Sequence, residues 1–250
     1  MRGQSYTMGV LTRENDPMGA AIWDFYAASG KNQIIVKTDI AEDEELSPEY
    51  LFRDFNEMPE LEQAALQKCK GRVLDVGAGA GSHALWLQEK GYSVTALDIS
   101  PWACQTMGKR GVRDVRHQDV LDLKDEQYDT ILLLMNGLGI AGTLEGLENL
   151  LKQLKTLLKP GGQILADSAD LLYLFTDEDG ETWLDLNVDK YYGQVEYRLN
   201  YRNIKGLPFN WLFVDKETLT DTAQKNDLQV IDLIEGSNHD YLAVIKEKAK

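Results

Sequence analysis

Apolar and polar positions from residue 71 onward fall into a repeating order. Residues 73–76 are a short apolar run, and 82–90 follow with helical spacing. Residues 93–99 are strand-like again. Residues 101–110 read as a helix with Pro101 in its first turn, where an N–H is not needed. A weaker strand is expected at 112–116. Residues 128–135 are apolar on both faces, the pattern of a parallel strand covered by helices on each side. Leu144, Leu147, Leu151, Leu154 and Leu158 lay one stripe along a helix over 143–158. Lys159-Pro160-Gly161-Gly162 should stop it, since Pro cannot continue a helix and Gly tolerates a left-handed cap. Residues 163–167 are the next strand. Strand, helix, strand in this rhythm predicts βαβ units with right-handed crossovers and a mostly parallel sheet.

The last third changes character. Val195, Tyr197, Leu199 and Tyr201 alternate with Glu196, Arg198, Asn200 and Arg202, and Phe209, Trp211 and Phe213 alternate after Lys205-Gly206. An antiparallel hairpin is predicted at about 186–214, inserted between the fifth core strand and a helix starting near Asp215. Residues 228–235 and 241–246 end the chain as two strands. Their link is too short for a crossover helix, so they should run antiparallel. The first 70 residues differ again. Helices are expected at 17–28 and 59–69, and the acidic run 42–45 reads as a solvated loop. The expected organisation is an N-terminal cap segment over 1–70 and a main domain over 71–250 that carries the hairpin.

Composition narrows the partners. Of 250 residues, 43% are hydrophobic and 27% charged, which supports a folded core. A net charge of −15, with no Lys/Arg cluster, predicts no nucleic-acid partner. No apolar run is long enough to cross a bilayer, and residues 1–15 lack a secretory stretch, so no membrane partner is expected. Cys69 and Cys104 form no CxxC, and two cysteines build neither a disulfide framework nor a zinc ribbon. These features read as a reduced, cytoplasmic protein. No His-x-x-x-His or clustered carboxylates suggest a metal.

The chemistry lies in Val73-Leu74-Asp75-Val76-Gly77-Ala78-Gly79-Ala80-Gly81-Ser82. A strand ends in glycines and feeds a helix. Such a loop lets a ligand lie against main-chain N–H groups at the positive end of a helix. A dinucleotide fingerprint, G-x-G-x-x-G, would need its third glycine at position 82, which is Ser82. Asp75 sits two residues before Gly77. A carboxylate there suits a cationic ligand group better than a diphosphate, which it would repel.

Asp75-x-Gly77-x-Gly79-x-Gly81 resembles the first motif of class I S-adenosylmethionine (SAM) dependent methyltransferases. Asp98 ends the second strand, where that family binds the ribose hydroxyls; NAD enzymes share this feature. Gln118-Asp119-Val120 follows the third strand, where the family places an acid near the adenine amino group. Residues 158–162 resemble its turn before the fifth strand. The resemblance spans about 71–167, with 228–246 matching the closing strands. It implies an α/β, Rossmann-like seven-stranded sheet, mostly parallel with the last strand antiparallel and helices on both faces. It implies SAM as cofactor, held by Asp75, Gly77, Ala78, Gly79, Gly81, Asp98, Ile99, Asp119, Val120 and Asn136. SAM carries its own leaving group, so no catalytic dyad is required, and none is assigned. A SAM-binding scaffold without turnover and a nicotinamide-dependent oxidoreductase are the alternatives.

Elimination narrows the acceptor. Enzymes that methylate amino groups of adenine or glutamine resemble one another in an Asp/Asn-Pro-Pro-aromatic motif. Here that place reads Met135-Asn136-Gly137-Leu138, so only the Asn matches. The Pro-Cys of cytosine C5 enzymes is absent, and the Asp-Asn pair of metal-dependent catechol-type enzymes is replaced by Asp167-Ser168. A small molecule methylated at O or N is the leading acceptor, with protein second. Two aromatic segments could roof the pocket: Trp23, Phe25, Tyr26, Tyr50, Phe52 and Arg53, and the hairpin over 191–213. Spacing leaves open whether the hairpin is a lid or the contact of a homodimer. Arg53 is expected to pair with a surface acid; its functional alternative is a clamp on the SAM carboxylate. Asn136 could equally start a turn or face the substrate, and Asp119 could instead cap the segment after it. Of His83, His117 and His239, only His83 must lie near the cofactor. Tyr26 and Tyr50 read as packing residues, and Trp86 as core.

Overall fold

The computed structural model describes residues 9–28, 32–177, 179, 181 and 190–248. In chain order the elements are α1 (Pro17–Ala28), β1 (Ile34–Thr38), β2 (Glu44–Leu46), α2 (Glu60–Lys68), β3 (Arg72–Val76) and α3 (Ser82–Glu89). There follow β4 (Ser93–Asp98), α4 (Pro101–Arg110), β5 (Asp114–His117), β6 (Tyr128–Leu133), α5 (Leu144–Thr156) and β7 (Leu158–Ala169). The chain ends with β8 (Gln194–Tyr201), β9 (Ile204–Lys205), β10 (Phe209–Leu212), α6 (Lys216–Lys225), β11 (Leu228–Glu235) and β12 (Asp240–Glu247). Among the described residues no helix is long and apolar enough to cross a membrane.

The main sheet has seven strands in the order β11-β12-β7-β6-β3-β4-β5. β3 to β7 are mutually parallel, and β12 inserts antiparallel between β7 and β11. Strand residues alternate between two cores, as period-2 side chains must. Leu74, Val76, Ile131 and Leu133 join Leu147, Leu151 and Leu154 of α5. Val73, Leu132 and Leu165 join Leu61 and Leu66 of α2 with Ala84 and Leu87 of α3. α5 begins where Thr143 accepts from Gly146 N at 3.0 Å, a side-chain N-cap. It ends at Thr156, before Lys159-Pro160-Gly161-Gly162. Leu157 O already serves Tyr128 N at 2.8 Å, which starts the sheet pairing. Leu158 of the predicted stripe therefore opens β7 instead.

The hairpin is part of something larger. β8 pairs with β10 and β9, but also with β1, and β1 pairs with β2, giving a second, antiparallel sheet in the order β10-β8-β1-β2. Residues 186–189 of the predicted insertion lie outside the described residues. The acidic run is not wholly loop, because Glu44 and Glu45 belong to β2. Ile34, Val36, Leu199 and Tyr201 pack with Ala20 and Ala21 of α1 and Trp102 of α4. α1 thus lies between the second sheet and the main domain.

Candidate functional site

The glycine loop leaves β3 and enters α3. Gly77, Gly79 and Gly81 have φ of +70°, +54° and +83°, a region that side-chain-bearing residues avoid. A Cβ on Gly77 would meet nothing within 4 Å, and one on Gly79 only Gly77 O at 4.0 Å. These two glycines therefore face an open cradle. Gly81 does not: its Cβ would lie 2.9 Å from Met107 and 3.1 Å from Val112, so its smallness serves helix packing. Ala78 is buried, and its N–H donates to Leu97 O at 3.1 Å.

Asp98 ties the loop to the second parallel strand. Its carboxylate accepts from Gly79 N and from Ser100 N, each at 2.8 Å. Burial pushes its pKa up to about 6, against those two hydrogen bonds. Ser100 caps α4 and donates to Asp16 of the N-terminal segment at 2.6 Å. Asp119 accepts from Leu121 N at 2.9 Å, so it does cap the short helix after it, and burial raises its pKa. Gly77, Asp98, Ile99, Asp119 and Val120 line one cleft, closed on its other side by Phe209, Asn210 and Trp211 of β10.

Asn136 is not among the residues lining that cleft. Its Nδ2 donates to Leu212 O at 3.2 Å and its Oδ1 accepts from Ser168 Oγ at 3.0 Å. With φ at +55°, it serves as the turn residue that fastens β10 to the end of β6. Asp167 organises the same loop by accepting from Met135 N and Gly137 N, each at 3.1 Å. Burial pushes its pKa up to about 6, against backbone hydrogen bonds.

Asp75 lies beneath the loop, 2% exposed, and its Oδ2 has no hydrogen-bond partner among the described residues. Burial raises its pKa, with the charge of His83 acting the other way. Nearby, Glu62 of α2 binds Arg53 through Oε1 and His83 through Oε2, the latter at 2.7 Å. Burial opposes charge on Glu62, but His83 and Arg53 outweigh it and hold the carboxyl below its usual range. Burial likewise opposes charge on His83, and its bond to Glu62 together with the charge of Asp75 raises its pKa. Arg53 thus pairs with an acid as expected, but it is only 8% exposed, not a surface residue. His117 is exposed and contacts Ile99 O at 2.9 Å, and His239 stacks on Tyr173. Tyr26 donates to Lys109 O at 3.2 Å, Tyr50 lies under Arg53, and Trp86 stacks on Phe55.

The sequence pattern left Glu62 and Asp167 unassigned as site residues, whereas β10 falls in the aromatic hairpin expected to roof the pocket. Glu62 carried a signal, a charge beside Leu61 and in line with Ala65 and Leu66 on the buried face of α2. Asp167 carried another, an acid at the end of an apolar strand. Among the described residues no group of three or more His, Cys, Asp or Glu is placed to hold a metal.

Known proteins share this fold. A family model described as "Methyltransferase domain" matches residues 47–233. A SAM-dependent methyltransferase from Bacteroides fragilis, solved in complex with S-adenosyl-L-homocysteine, is 43% identical over 97% of this chain and 99% of its own, with a TM-score of 0.90. The CcbJ methyltransferase of Streptomyces caelestis shares the fold at 16% identity and a TM-score of 0.63, over 95% of this chain and 100% of its own. The YqeM protein of Bacillus subtilis (strain 168) is 30% identical over 104 residues, a stretch that spans 39% of this chain and 42% of that relative. An open cradle over Gly77 and Gly79 and an orphaned carboxylate oxygen on Asp75 suit a nucleoside-bearing, cationic cofactor better than a diphosphate. The glycine loop, the acids that follow it and the family match together place the chain in the class I SAM-dependent methyltransferase family.

Proposed function

We propose that the chain transfers a methyl group from SAM to an oxygen or nitrogen of a small-molecule acceptor. The observation that carries this reading is the open cradle over Gly77 and Gly79, with Asp98 tied to it through Gly79 N. Asp98 would receive the ribose hydroxyls, since each carboxylate oxygen keeps a lone pair after its backbone bond. Asp119 and Val120 would border the adenine, and the orphaned Asp75 oxygen would face the amino-acid end. When bound, SAM supplies an activated methyl group; the chain's task is to orient the acceptor and exclude water.

The small acceptor is supported by the way β10 of the second sheet walls the cleft. Phe209 and Trp211 of the insert turn toward the cleft, which favours a lid over a dimer contact. The charge of −15 argues against nucleic acid. Two unpaired thiols, Cys69 and Cys104, suit a cytoplasmic setting. The test uses SAM with a labelled methyl group. Panels of small amines and hydroxy compounds are run beside RNA, DNA and a protein extract. Label is expected in the small-molecule fraction, and label confined to macromolecules would sink the acceptor assignment.

A further inference from the structure

The cleft beside the glycine loop has walls of different origin. The main domain supplies Asp98 and Ile99 after β4, Asp119 with its neighbours after β5, Ile140 and Ala141 after β6, and Leu150 of α5. The rest is β10, a strand of the second sheet. β10 is fastened in place. A Cβ on Gly139 would lie 2.1 Å from Trp211 Nε1, so the indole sits directly against the Gly139 backbone. A Cβ on Gly142 would lie 3.1 Å from Asn210 O. Leu212 O accepts from Asn136 Nδ2 at 3.2 Å, and Val214 N donates to Ser168 Oγ at 2.9 Å. Phe209 meets the Trp211 ring edge-on at 6.0 Å, and Tyr197 stacks on Phe209 at 5.9 Å. The indole is therefore braced from two sides.

We propose that β10 is a nucleoside-recognition strand. Trp211 offers an aromatic face to the adenosine part of the cofactor, across from Asp98 and Asp119. The inference rests on the cofactor reading above and adds a recognition residue from outside the parallel sheet. A purine is a flat aromatic ligand whose stacking on an indole is strong.

Calorimetric titration of S-adenosylhomocysteine and of 5′-methylthioadenosine tests this. The second ligand keeps the nucleoside and lacks the amino acid. Trp211→Ala is expected to weaken both by the same factor, about tenfold or more. Arg198→Ala, on the opposite face of neighbouring β8, should leave both affinities unchanged. Affinities of Trp211→Ala within twofold of the wild type would overturn the inference, as would a loss confined to S-adenosylhomocysteine. Trp211→Phe covers the case in which the alanine variant does not fold. The ligand-induced change in tryptophan emission should vanish in it, and an undiminished change overturns the proposal. A wild-type protein that binds neither ligand would refute the cofactor reading itself, an outcome distinct from failure of the variants alone.

Discussion

Asp98 is a carboxylate whose protonation falls near neutrality, because burial raises its pKa to about 6. A folded-state pKa above the unfolded value means that this group's stabilising contribution is complete below about 4 and is lost as pH rises through 6. At pH 7.5 the empty site therefore holds an ionised acid under strain of desolvation, which hydroxyl donors of a ligand would relieve. Affinity for S-adenosylhomocysteine is expected to fall about tenfold from pH 7.5 to pH 5, measured by calorimetry. Asp167 titrates in the same range, so Asp98→Asn is the control: it should bind weakly and with little pH dependence. A flat profile in the wild type would remove Asp98 from the contact. At this scale the sequence was most informative where the geometry is local. Asp75, Gly77, Gly79 and Asp98 are set by a strand, a turn and a helix within 25 residues, and positive φ at the glycines was implied by their spacing. Gly81 looked the same in the sequence, yet its constraint comes from Met107 and Val112, more than 25 residues away. The amide of Asn136 was open to two uses, and in the structure it bonds Leu212 O and Ser168 Oγ, partners remote in sequence.

Between elements, Glu62 joins α2 to the segment that holds Arg53 and to the first turn of α3, with both oxygens engaged and only 4% exposure. Removing the charge leaves Arg53 as a buried cation without its carboxylate partner. Breaking one side of a buried pair typically costs about 3–5 kcal/mol. Glu62→Gln is therefore expected to lower unfolding free energy by about 3 kcal/mol in denaturant titration; a change under about 0.5 kcal/mol would show the cluster to be replaceable. Helix and strand identities were largely legible, because the 3.6 and 2 periodicities are strong from residue 71 onward. Strand β1 was not, since 34–38 is a short run whose partner in the second sheet, β8, is remote in sequence. The edges of α5 moved for a related reason: sheet pairing at Tyr128 claimed the carbonyl of Leu157 before Pro160 could act.

For the whole molecule, the formal charge of −15 produces net self-repulsion in the compact state. Salt screens such repulsion over a Debye length of about 10 Å at 0.1 M. It also weakens exposed pairs such as Lys152–Glu148, which contribute about 0–1 kcal/mol each. Screening of the excess charge should win, so thermal melts of the ligand-free protein are expected to shift upward by a few degrees between about 0.05 and 0.5 M NaCl. A downward shift would mean that specific ion pairs dominate. The parallel sheet and the antiparallel last strand were implied by the alternation of runs and the short 236–239 link, whereas the strand order, set by contacts between remote segments, was not read from them. The second sheet was half legible, as a hairpin alone.

That second sheet has a consequence for the order of events in folding. Residue 35 pairs with residue 200, and residue 38 with residue 197. Contacts of such wide sequence separation carry a large loop-closure entropy and form slowly. During synthesis the β1–β2 ribbon must wait, an unpaired edge, until most of the chain has emerged. The parallel sheet and its glycine loop can assemble from nearer neighbours, whereas the second sheet is complete only when the two distant segments meet.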